Sequence, residues 1–186
     1  MASNRQRALR AAIEILAAEG VRALTHRRVD EVAGLPEGST SNAFRTRAAL
    51  LIGITEQMVA DELRVVAESP PGASPEQLAE SLVSLFQRLT GPLRGQTAAR
   101  LALFVEAGHD EAIRTVLRGA RSTVVGPIRS AFVAVDAADP DLAVDLVTAC
   151  FEGLFLQVVG LGVDLDPRPV ITSVVRAAIG RTAPIG

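Results

Sequence analysis

The chain has 186 residues, 48% of them hydrophobic, and a formal net charge of −2. That is enough apolar material for one large domain or two small ones with a substantial core, and it excludes a disordered chain. With no Trp, no Tyr, six Phe and a single cysteine, Cys150, the composition favours helices and excludes an internal disulfide or a multi-Cys metal site.

The small net charge conceals an asymmetry. Residues 1–50 hold eight Arg against five acids, whereas residues 51–186 hold eleven against sixteen. A basic end on an acidic body suits a first segment that meets a polyanion. The opening "MASNRQRALRAAIEIL" carries charges through its first ten residues and has no signal-peptide core. The most apolar stretch, Leu142 to Val163, is interrupted by Asp145, Glu152 and Gln157, so no membrane span is expected and the protein reads as cytoplasmic.

In chain order, Leu9, Ala12, Ile13 and Leu16 recur at helical spacing, which predicts a helix over Asn4 to Glu19 that stops at Gly20. Thr25 is placed to cap a second helix with Val29, Val32 and Ala33 on its inner face and Gly34 at its end. Pro36 punctuates a turn, and Glu37 to Phe44 is long enough for about two helical turns. Thr46 caps a fourth helix in which Leu50, Leu51, Ile54, Met58 and Val59 run toward Val66. "ESPPGASPEQ" is the clearest loop. Further helices are expected over Pro75 to Leu89, Thr97 to Ala107, Asp110 to Val135, Leu142 to Leu161 and Pro169 to Ile179. No alternating strand pattern and no repeat interrupts them, so the fold class is all-α with about nine helices.

The two short helices joined by Ala33-Gly34-Leu35-Pro36 have the form of a helix-turn-helix. Gly34 supplies the left-handed turn residue, and Leu35 is the apolar plug between the helices. Val29, Val32 and Phe44 are placed to pack on Leu9, Ile13 and Leu16, which leaves Glu37, Ser39, Thr40, Ser41 and Asn42 facing out. A helix entering the major groove needs short polar side chains, because bulk would hold its backbone away from the base edges. Helix N-termini also bind phosphate.

Over residues 5–59 the chain resembles the TetR family of bacterial transcriptional repressors. The resemblance rests on Gly20, Leu24-Thr25, Val32-Ala33 with Gly34, Gly38-Ser39, Phe44, Thr46-Arg47 and Leu50-Leu51, a combined spacing far more specific than a bare helix-turn-helix. Beyond those residues it rests on length, helix count and the N-terminal placement of the motif. It implies a helix-turn-helix domain over 1–48 and a helical ligand-binding and dimerisation domain over 49–186. It also implies a homodimer on a double-stranded DNA operator, released by a small-molecule effector, with no cofactor and no membrane partner. This chain departs from the family at Ser41, Ala43 and Ala48, where the family often has an aromatic, a Tyr or His, and a Glu. Contacts made by those rings cannot be carried over.

The candidate DNA-binding residues are Thr25, His26, Arg27, Arg28, Glu37, Ser39, Thr40, Ser41, Asn42, Arg45 and Arg47. Arg47 matches the basic position at the start of the fourth helix, and Thr25 doubles as a cap. The resemblance places an effector cavity among the C-terminal helices. There Met58, Glu62, Phe86, Arg100, Phe104, Arg121, Val125, Phe151 and Phe155 are candidates, an apolar lining with a few polar anchors. Leu142, Leu146, Phe151, Leu154, Phe155 and Val158, with Val170, Val174, Val175 and Ile179, offer more apolar surface than one helix stripe needs, which suits a four-helix dimer interface.

Glu106 and His109 lie three apart, but no third ligand accompanies them, so no metal site is expected. With no nucleophile elbow, P-loop or dinucleotide fingerprint, an enzyme is not expected either. The alternative is a helical small-molecule-binding protein or enzyme carrying a vestigial DNA-binding motif.

Overall fold

A computed structural model describes residues 2–68, 72 and 74–180. Among them are nine α-helices and no strand: α1 (Asn4–Glu19), α2 (His26–Ala33), α3 (Ser39–Ala43), α4 (Arg47–Glu68), α5 (Pro75–Thr90), α6 (Arg94–Ala107), α7 (Glu111–Ala134), α8 (Pro140–Phe155) and α9 (Arg168–Ile179). A 3-10 turn (Val21–Ala23) joins α1 to α2, and a π-helical turn (Leu156–Gly160) continues α8. The all-α class is therefore the fold. The expected loop over 68–77 includes residues 69–71 and 73, which lie outside the described residues.

The chain packs as two compact units. One comprises the residues up to Asp61 together with Leu93–Arg121; the other comprises Glu62–Pro92 and the residues from Ser122 on. Helices α4 and α7 contribute to both.

In the first unit α1 is the central element, and its buried Leu9, Ile13, Ile15 and Leu16 explain why. It packs on α2, α3 and α6. Val29 from α2, Leu35 from the turn, Phe44 at the end of α3, Leu50 and Ile54 of α4, and Leu103 of α6 join the same core. The expectation for Val32 is corrected here, since its side chain is 37% exposed and stands outside this core. Because α2 has only eight residues, one inner stripe suffices, and Val29 with the half-buried Ala33 fills it.

Gly53 of α4 permits a close approach in that core. A Cβ built on it would lie 2.5 Å from Phe44 Cε1 and 3.3 Å from Leu9 Cδ2.

In the second unit α5 and α8 both pack on α9. Leu78, Leu82 and Phe86 of α5, Val144, Val147, Phe151 and Phe155 of α8, and Ile171 and Val175 of α9 are buried. Pro140–Gly160 is the one described stretch long and apolar enough to cross a membrane by length and composition. Burial of those α8 side chains accounts for part of that apolarity. Phe151, Leu154, Phe155 and Val175 are thus occupied within the chain and are unavailable to a partner, contrary to the expectation for the dimer surface.

Candidate nucleic-acid interface

Local capping fixes the helix-turn-helix. The Thr25 hydroxyl accepts the Arg28 N–H at 3.1 Å and starts α2, as its position predicts. Gly34 ends α2 in the left-handed conformation, with φ 59°, a region that disfavours any residue with a Cβ. The carbonyls left open at that end accept from Arg7 of α1, whose Nη2 lies 2.8 Å from Ala33 O and 2.9 Å from Gly34 O. A cation at a helix C-terminus is the favourable sign. Leu35 is buried as the plug between the helices.

The start of α3 is built differently. Its N-cap is Gly38, at φ 87°, which has no side chain to cap with. Asp30, one helix back, takes that role. Its Oδ2 accepts the Gly38 N–H at 2.9 Å, and its Oδ1 accepts the Thr40 N–H at 2.8 Å as well as the Thr40 hydroxyl. Asp30 is only 4% exposed, and a carboxylate so buried requires such donors. The residue escapes sequence reasoning because a carboxylate on a short amphipathic helix reads as surface. The one signal is that a helix starting at a glycine must find its acceptor elsewhere.

Thr40 is accordingly corrected. It is 0% exposed, and its hydroxyl is spent on Asp30 rather than turned outward. Helix α3 also has five residues rather than about two full turns.

What α3 does expose is small. Ser41, Asn42 and Ala43 are exposed, as is Glu37 before the helix, and Ser39 is half-buried. The Ser41 hydroxyl donates to Gly38 O at 2.9 Å, which leaves its oxygen free to accept. Arg27, Arg28, Arg45 and Arg47 are all exposed. Arg27 pairs with Glu31 at 3.2 Å, and Arg28 with Glu19 at 2.8 Å. The hydrogen bond to Glu19 raises the Arg28 pKa above its ordinary value. His26 is half-buried, and its Nε2 lies 2.7 Å from Phe44 O. This ties the start of α2 to the end of α3. Thr46 caps α4 by accepting the Ala49 N–H at 3.0 Å. Arg47 donates to Val21 O at 3.2 Å and stands 3.7 Å from the Asp110 carboxylate.

The effector candidates divide between the two units. Met58, Arg100, Phe104 and Arg121 belong to the first; Glu62, Phe86, Val125, Phe151 and Phe155 belong to the second. Three of them converge. The Phe86 ring stacks on Phe155 at 5.1 Å, and Phe151 meets Phe86 and Phe155 edge-on at 5.5 and 5.7 Å. These rings fill space against one another. Met58 is buried in the first core, while Phe104 and Arg121 are exposed. Glu62, Arg100 and Val125 are half-buried. A shallow apolar recess between α8 and α9 is lined by Val147, Cys150, Phe151, Ile171 and Val174. Burial raises the Cys150 thiol pKa there, which keeps it neutral.

Comparison with known proteins bears on the whole chain. Residues 73–181, more than half of it, match the tetracyclin repressor-like C-terminal domain family. No curated protein matches. A member of the TetR family from Streptomyces coelicolor A3 is similar in structure at a TM-score of 0.79 and 26% identity, over 96% of this chain and 99% of that one. The multidrug binding protein EbrR, solved with ethidium, is similar at a TM-score of 0.76 and 25% identity over 96% and 99%. A Rhodococcus protein assigned to the TetR-family transcriptional regulators shares the fold at a TM-score of 0.83 and 23% identity over 97% and 100%. The N-terminal helix-turn-helix and the matched C-terminal region thus lead to one conclusion: the chain belongs to the TetR family of transcriptional regulators.

Proposed function

We propose that this regulator is a homodimeric, cytoplasmic repressor that holds a palindromic operator and is released from it by a small-molecule effector. The observation that carries the reading is the outer face of α3. Ser41, Asn42 and Ala43 are exposed there with no bulky side chain among them, so the backbone can approach base edges closely. Arg27, Arg28, Arg45 and Arg47, exposed on the neighbouring elements, supply charge for phosphates on either side. Their role is positional and independent of sequence, whereas Asn42 and Ser41 are the groups able to read bases.

Two such helices on a two-fold axis would occupy successive major grooves, about 34–36 Å apart. Exposed Leu142 and Leu146 on α8 and Val170 on α9 support the pairing. An effector that favours another spacing releases the DNA; a coupling of ~1–3 kcal/mol weakens binding about 5–150-fold. EbrR, the relative solved with ethidium, is a multidrug binding protein.

The test is selection of duplexes from a random-sequence library by the purified protein, followed by a compound screen for release of the selected duplex. A two-fold symmetric consensus is expected. If no sequence is enriched and no duplex is retained at low salt, the motif is vestigial and the alternative holds, a helical small-molecule-binding protein or enzyme.

A further inference from the structure

We propose that Asp30, acting through Thr40, is the positioning residue for sequence readout, setting the rotation of α3 on which base discrimination depends. The proposal rests on the DNA-binding reading above and assigns a role to two residues that face away from the DNA.

A five-residue helix does not hold itself together in water, because nucleating a turn is costly and too few bonds follow to offset it. Something outside α3 must therefore determine both that it forms and how it is rotated. Its own N-cap, Gly38, contributes no side chain. The Asp30 carboxylate instead holds the Gly38 N–H, the Thr40 N–H and the Thr40 hydroxyl. Three bonds to one rigid group on α2 determine an orientation, where a single bond would leave a pivot.

With Thr40 turned wholly inward, the helical period turns Ser41 and Asn42 outward, as observed; Ala43, three residues on from Thr40, is exposed where the helix ends. A loss of the clamp rotates or frays α3 and moves the reading side chains off the base edges. The arginines on α2 and α4 are anchored independently of it. Discrimination thus falls while general attraction to DNA stays.

The experiment uses the full-length protein, a duplex that the wild type selects from a random-sequence library, and a scrambled duplex of equal length. Thr40→Val keeps the shape and deletes the hydroxyl. It is expected to lower the ratio of selected to scrambled affinity by about tenfold or more, the scale of one lost base contact, while scrambled-duplex affinity stays within about twofold. Thr40→Ser keeps the hydroxyl and retains the ratio. Ile15→Val, a core change in α1 that lowers Tm, leaves the ratio unchanged and separates positioning from mere stability. Should Thr40→Val fail to fold, Asp30→Asn decides by the same ratio. An unchanged ratio in the deciding variant, or an equal loss in Ile15→Val, overturns the proposal. A wild type that selects no sequence overturns the DNA-binding reading instead.

Discussion

Arg47 has two claims on it. Its Nη2 donates to Val21 O at 3.2 Å, and its Nη1 stands 3.7 Å from Asp110 Oδ2. If the side chain contacts phosphate, Asp110 is its internal competitor. Both side chains are substantially exposed, so the pair itself contributes little, ~0–1 kcal/mol. Asp110 also caps α7, its Oδ1 accepting from Ala112 at 2.9 Å and Ile113 at 3.2 Å. Asn caps as well as Asp does, so Asp110→Asn removes the competing charge without costing the helix its start. Arg47→Ala is expected to weaken selected and scrambled duplexes alike and to reduce the salt slope by about one. Asp110→Asn is expected to tighten both, by up to about fivefold at low salt. Titration of a fluorescent duplex against each variant measures this. A weaker complex with Asp110→Asn would mean that the carboxylate orients Arg47 toward the phosphate rather than holding it away.

Helix α4 shows how packing reverses an intrinsic preference. Gly to Ala inside a helix ordinarily stabilises by up to about 1 kcal/mol. At Gly53 the new methyl would fall 2.5 Å from the Phe44 ring, so Gly53→Ala is expected to destabilise by ~1–3 kcal/mol. At Gly119, inside α7 with nothing within 4 Å of such a Cβ, Ala is expected to stabilise. Urea denaturation of the two variants compares them directly, and a stable Gly53→Ala protein would show that Phe44 can move aside. The same contrast explains what was legible in the sequence. The limits of α1, the Thr25 and Thr46 caps and the Gly34 stop are local chemistry, and each was readable from its own few residues. Thr40, Val32 and Asp30 were not, because their burial is decided by a partner ten residues away or by how narrow a face α2 needs to bury. The Phe86, Phe151 and Phe155 cluster was visible as three apolar positions. That they pack on one another depends on the tertiary approach of α5 and α8.

Across the whole molecule the unresolved demand is for an apolar surface that the chain leaves open. Along α8 the exposed Leu142, Leu146, Ala149 and Gly153 follow one another at spacings of four, three and four, with exposed Leu156 next at the start of the π-helical turn, the repeat of a helix seam facing another helix. No side chain stands over Gly153, whose built Cβ meets nothing within 4 Å. The seam therefore has a notch as well as ridges, and exposed Val170 on α9 extends the apolar surface of the same unit. The other side of α8 is satisfied internally, with Val144, Val147, Phe151 and Phe155 buried. In the proposed dimer a second copy of the same helix pair would meet the open seam in kind, giving an isologous four-helix contact. Leu146→Glu puts a charge in the middle of that contact without touching the buried face. By light scattering the wild type is expected to be a dimer at micromolar concentration and the variant a monomer, with the far-ultraviolet helical signal retained. Its affinity for a two-fold symmetric duplex should fall by about 100-fold or more, because the second half-site is then no longer bound intramolecularly. A monomeric wild type, or a variant that remains dimeric, would place the association surface elsewhere.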